Sequence, residues 1–144
     1  MGNPMYGQNK ADARVGIITN PGTPPAGIGT GAQTITIDML LAQVLEEDPG
    51  GAATWTLSTA ALAVSGIPGC GVGDSFDFWV INTDGTADIA ITVAMGTGGT
   101  LVGNAEVESA DTAADAISSG SGMFRMRFTN VTSGSEAYTV YRLA

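Results

Sequence analysis

The stretch GMFRMRFTNV, residues 122–131, sets Phe124, Met126 and Phe128 at every second position, with Arg125 and Arg127 between them. Successive side chains on a β-strand point to opposite faces. The spacing therefore predicts a strand that buries three large apolar groups and turns both arginines outward together. Those arginines stand out in a chain with 5 cationic residues, 14 acidic ones and a formal charge of −9.

The same period recurs upstream. In GDSFDFWVINT, residues 73–83, Phe76, Phe78 and Val80 share one face while Asp77, Trp79 and Ile81 take the other. Ile89, Ile91 and Val93 mark the buried face of ADIAITVAM, the GTGG that follows turns the chain into TLVG, and EAYTVYRL closes the sequence after TSGS. Turn residues separate these runs at short intervals, which predicts sequential antiparallel strands. Upstream of them, QTITIDMLLAQVLEEDPGGAATWTL, residues 33–57, reads as a short strand, a helical turn around Asp38 to Leu41, and two strands joined by DPGG. Pro presets one turn angle and the glycines accept positive φ, so residues 43–57 are expected to form a hairpin. Thr59 to Ser65 follows Ser58, a good N-cap, and precedes Gly66 and Pro68, which predicts one more short helix.

About eight strands at close spacing give the expected fold class: an all-β, jelly-roll-like antiparallel β-sandwich with one or two short helices. With 144 residues, 44% apolar but only 6% aromatic, the chain is expected to build one core from Ala, Val, Ile and a few large rings. Residues 1–33 are rich in Gly and Pro and poor in large apolar groups, so they read as an extended arm, with residues 34–144 as the folded domain. Within the arm, Val15, Ile17 and Ile18 could add a strand to another chain. The stretch 109–120 is a polar, Ala-rich loop of irregular pattern.

Composition also narrows the chemistry. There is no histidine, which removes Ser-His-Asp and Cys-His catalysis. Cys70 is the sole cysteine, so it has no disulfide partner in the chain and no histidine to activate it. Asp74 with Asp77, or Asp84 with Asp88, are the remaining candidates for an acid–base pair or a calcium site, and solvated turn carboxylates are the plainer reading of both. The glycine runs GCGVG and GTGGTLVG are followed by neither a lysine nor a long helix and read as turns, not phosphate loops. Neither an enzyme activity nor a metal or cofactor is expected. No cation lies between Val15 and Phe124, so the anionic body should repel nucleic acid and anionic membrane surfaces. The start lacks an apolar run of signal-peptide length and the longest aliphatic run is too short to span a bilayer, giving the expectation of a soluble protein made in the cytoplasm.

Trp55 and Trp79 are expected in the core or at subunit contacts. Arg125 and Arg127 should find carboxylates, with Glu106, Glu108, Asp111 and Asp115 as candidates on the same sheet or on a neighbouring copy. Arg142 is the third cation of this region and a further candidate contact.

From Asp38 onward, the succession MLLAQVL, DPGGAATWTLSTAAL, IPGCGVGDSFDFWVINT, ITVAMGTGGTLVG and FRMRFTNVTSGSEAYTVYRL resembles the capsid decoration, or cement, proteins of tailed phages. The resemblance covers roughly three quarters of the chain, and TNVTSGSEAYTVYRL is its most specific part. It implies a jelly-roll or sandwich body, a homotrimer, the major capsid protein as partner, and a place on the capsid exterior of a virion assembled in the host cytoplasm. It carries no catalytic residues. A phage fibre or receptor-binding module with the same fold is the alternative, with Trp79 in its contact surface.

Overall fold

The computed structural model describes residues 28–86, 88–110 and 118–144. Nine strands and two short helices follow one another: β1 (Gln33–Ile35), α1 (Ile37–Leu41), β2 (Val44–Glu47), β3 (Ala53–Leu57), α2 (Ala60–Gly66), β4 (Ser75–Asn82), β5 (Ala90–Ala94), β6 (Gly99–Val102), β7 (Glu106–Glu108), β8 (Ser121–Asn130) and β9 (Ala137–Arg142). They form two sheets, one of four strands in the order β1-β3-β5-β7 and one of five in the order β2-β4-β8-β9-β6. The body is a mostly β, two-sheet structure, as the strand period predicts.

The sheets are mixed, which corrects the antiparallel expectation. β1 with β3, β3 with β5, β2 with β4 and β6 with β9 run parallel; β4 with β8, β5 with β7 and β8 with β9 run antiparallel. The cause lies in the order of strands: from β1 to β8 each strand belongs to the sheet opposite its predecessor. A strand of the other sheet thus serves as the crossover that parallel neighbours require. The expected hairpin over residues 43–57 accordingly does not form. DPGG does make a turn, with the Asp48 carboxylate accepting from the Gly50 N–H at 2.8 Å and Gly50 at φ 67°, but it carries the chain between sheets. The expected neighbours after β4 separate in the same way. Only β8 and β9 pair as consecutive antiparallel strands, across TSGS.

Alternation places the core as expected. Phe76, Phe78 and Val80 of β4 and Phe124, Met126 and Phe128 of β8 are all buried, with Phe78 stacked on Phe124 at 5.5 Å between ring centroids. From the other sheet Ile35, Trp55, Leu57, Ile91, Val93 and Val107 meet them. Trp55 is a core residue, and its buried Nε1 has no hydrogen-bond partner among the described residues. α1 and α2 are connections whose N-caps are Thr36 and Thr59. Ser58, the expected cap of α2, instead donates its hydroxyl to the Ile35 carbonyl at 2.9 Å.

Residues 28–33, the end of the expected arm, belong to the body. Ile28 is 5% exposed in the core, the Gly29 N–H donates to the Glu47 carboxylate at 3.1 Å, the Gly31 N–H donates to the Pro49 carbonyl at 2.9 Å, and Gln33 begins β1. The rest of that segment, with Val15, Ile17 and Ile18, lies outside the described residues, as does 111–117 of the polar loop.

Polar side chains tie the sheets together at their ends. Buried Asn82, at the end of β4, donates to the carbonyls of Ile89 and Val107 at 2.9 and 3.0 Å. Tyr138 of β9 donates its hydroxyl to the Ser58 carbonyl at 2.9 Å and accepts from the Gly96 N–H at 3.1 Å. Its ring lies so close to β6 that a Cβ at Gly99 would sit 2.5 Å away, which is why the start of that strand needs glycine. Replacing Tyr138 by Phe leaves the buried Ser58 carbonyl and the Gly96 N–H without this partner and should destabilise the protein by about 1–3 kcal/mol. A lowered urea midpoint with an unchanged slope is the expected readout.

Candidate interaction surface

The outer face of the five-stranded sheet gathers Asp77, Trp79, Arg125 and Arg127 of the residues singled out in the sequence. Asp77 lies directly opposite Arg125 in the β4–β8 ladder, and the two form a bidentate pair, Nε to Oδ1 at 2.6 Å and Nη2 to Oδ2 at 2.8 Å. The pair is half open to water, with 47% of the Arg125 side chain and 28% of that of Asp77 exposed. Such pairs contribute only about 0.2–1 kcal/mol. The hydrogen bonds to Asp77, and then its charge, raise the Arg125 pKa above its ordinary value. Arg125 therefore takes a partner on its own sheet, and not Glu106 or Glu108; Asp111 and Asp115 lie outside the described residues.

One residue step along the sheet's outer face, an apolar row crosses four strands. The registers align Val44 of β2 with Trp79 of β4 and Trp79 with Met123 of β8, while the Leu143 N–H donates to the Met123 carbonyl and brings Leu143 alongside. Trp79 is 38% and Leu143 46% exposed. On the other side of the ion pair, Tyr141 of β9 stands opposite Arg125 and is aligned in turn with Val102 of β6, 53% exposed. Arg127, one pair further along and opposite Ser75, is exposed and makes no ion pair among the described residues.

Arg142 is placed differently. It shares the inward parity of Tyr138 and Val140, stands over the Phe124 ring at 4.8 Å, and donates to the backbone carbonyls of Glu106, Ser121 and Ala144. Glu106 belongs to β7, so Arg142 joins the two sheets. Its guanidinium occupies the space a Cβ on Gly122 would need, 2.6 Å away. Partial burial lowers its pKa.

No family model, curated protein or solved structure matches the chain. The reading of this surface accordingly rests on its own geometry.

The candidates for chemistry are dispersed. Asp74 accepts the Gly71 N–H at 2.8 Å, Asp77 holds Arg125, and Asp84 accepts the Thr86 N–H at 2.7 Å. Among the described residues no three Cys, Asp or Glu side chains gather as a metal site, and no helix is long and apolar enough to cross a membrane. A groove of about 610 Å³ runs between α2 and the outer face of the four-stranded sheet, lined by Thr34, Thr56, Thr59, Ser65 and Met95, with Asp38 the one titratable group on its walls.

Sequence reading missed Val44, Met123, Tyr141 and Leu143 as members of the exposed face. The signal was present for Met123, which has the same parity as Arg125 and Arg127. Asp77 was placed on the right face, but its strand partner was not legible.

Cys70 is half-buried, its thiol directed to the Val64 carbonyl at 3.7 Å. Burial, and after it the charge of Asp74, raises the thiol pKa. Since the thiolate is the reactive form, alkylation at pH 7 should be slower than that of a free cysteine peptide, and should accelerate only above the free thiol's value of about 8.5. Iodoacetamide labelling followed by mass spectrometry across pH 7–10 measures this.

Proposed function

We propose that the protein is a structural component of a tailed-phage virion, one that decorates the capsid exterior and stabilises it by binding across neighbouring major capsid subunits. In this reading its two-sheet body is jelly-roll-like in passing the chain repeatedly between sheets, with parallel neighbours as its own departure from the all-antiparallel form. The observation that carries the proposal is how the body uses its polar groups. Asp74, Asp77, Asn82, Tyr138 and Arg142 are engaged in turns, a surface pair and ties between sheets, while a broad sheet face bearing Trp79 and Leu143 remains outward.

Such a molecule acts by adhesion, and many modest contacts repeated over a symmetric shell give large total binding without a deep pocket. The segment 1–27 supplies the second element. Its Val15, Ile17 and Ile18 would add a strand to a capsid subunit. It joins the body at Ile28, which is held in the core, so load on the segment passes directly to the packed sheets.

Deleting residues 1–27, with Ile28 kept, should leave a folded body of undiminished melting temperature that no longer binds capsids. Equal capsid binding by the shortened chain, in co-sedimentation with capsids lacking the protein, would remove the role given to the segment. Particle imaging tests the whole reading: many copies spread over the head support it, whereas a few copies at the tail support the receptor-binding alternative, which the exposed Trp79 ring would serve.

A further inference from the structure

We propose that the outer face of the five-stranded sheet pairs two copies of this chain about a two-fold axis that runs along the strands between β4 and β8. The inference stands on that face alone and does not depend on whether a capsid is the larger partner.

The registers make the face self-complementary. A two-fold axis in the plane of contact, parallel to the strands, lays β4 of one copy over β8 of the other and keeps each cross-strand row in place. Trp79 then meets Met123 of the second copy, and Val44 meets Leu143, because these four residues form one row. In the adjoining row Asp77 and Arg125 stand side by side. The same rotation puts Arg125 over Asp77 of the second copy and Asp77 over its Arg125, so charges alternate around a group of four. Like charges do not face one another, as an isologous contact requires.

Charge also points to this face. Acids outnumber cations by 14 to 5 in the chain, so two copies repel one another over most of their surface. On this face Arg125 neutralises Asp77, Arg127 makes no ion pair among the described residues, and Glu46 of β2 lies at the edge beside Ile81, so two cations stand with two acids. The outer face of the other sheet instead carries Glu106 and Glu108. Two of the five exposed large apolar side chains among the described residues, Trp79 and Leu143, lie on the proposed contact.

The size reaches the lower bound. The four strands that overlap about this axis, β2, β4, β8 and β9, span roughly 19 Å at about 4.8 Å spacing, and the eight residues of β4 about 26 Å, so each copy offers about 500 Å². Two copies then bury about 1,000 Å², the least that a specific interface clears. Sheets packed face to face keep their strands within about 30° of each other, which an axis along the strands provides. The arrangement is two-fold, where the resemblance noted from the sequence implies a trimer.

Sedimentation equilibrium of the full chain at micromolar concentration tests it. The expected result is a dimer. Trp79→Asp should weaken it by roughly thirtyfold or more, as loss of a central aromatic does at such contacts. Arg125→Asp should likewise give monomers, because four acids would then converge. Asp77→Arg combined with Arg125→Asp should restore the dimer, since the reversed pair is again complementary to itself. Melting at concentrations where the parent is monomeric should be nearly the same for all four proteins, which separates loss of pairing from loss of fold. A monomer, a trimer, a dimer indifferent to Trp79→Asp, or a reversed pair that stays monomeric overturns the proposal.

Discussion

Neither sheet of this protein can exist without the other. Each connection from β1 to β8 carries the chain across the core, so, apart from β8 and β9, the strands that lie side by side within a sheet are not consecutive in the sequence. The inward residues of one strand face those of the next across the core instead of beside it. Apolar burial between the layers is therefore the condition for strand pairing as well as its result. Most pairings also close long loops, which places the fold among slow-forming topologies.

The polar ties acquire their meaning from that constraint. Two apolar faces can slide over one another with little penalty, because hydrophobic attraction has no direction. Asn82, Tyr138 and Arg142 each join one sheet to backbone groups of the other, and each bond is satisfied only in one alignment. A slip would strand buried polar atoms, at about 1–3 kcal/mol for each. The glycines opposite them follow from the same demand: Gly99 makes room for the Tyr138 ring and Gly122 for the Arg142 guanidinium.

What was legible in the sequence was local. Alternation gave the inward sets of β4 and β8, and the flanking Ser58, Gly66 and Pro68 placed α2 within a residue although the cap itself is Thr59. The strand partners were not legible, because a turn signal such as DPGG specifies that the chain reverses and says nothing about which sheet receives it. The antiparallel expectation failed for that reason, and with it the list of carboxylates for Arg125: Asp77 lies 48 residues away along the chain and becomes its neighbour only through the β4–β8 register. The parity of Arg142 did carry its answer, since it matches Tyr138 and Val140. What makes room for and binds an inward arginine, the bare backbone of Gly122 and the carbonyl of Glu106, comes from other strands.

Strand lengths finally bear on how such a body meets its neighbours. The four edge strands, β1, β7, β2 and β6, have 3, 3, 4 and 4 residues, while the central β4 and β8 have 8 and 10. Short edges offer few free backbone groups to a passing strand, which is how sheet proteins avoid growing edge to edge. The broad faces are thereby the larger surfaces the body presents, and the two differ. One presents Thr34, Thr54, Thr56 and Thr92 with Glu106 and Glu108, all readily hydrated. The other presents the Trp79 row beside the matched Asp77 and Arg125, with Glu46 at its β2 edge, so drying the row removes apolar surface from water while that pair stays intact.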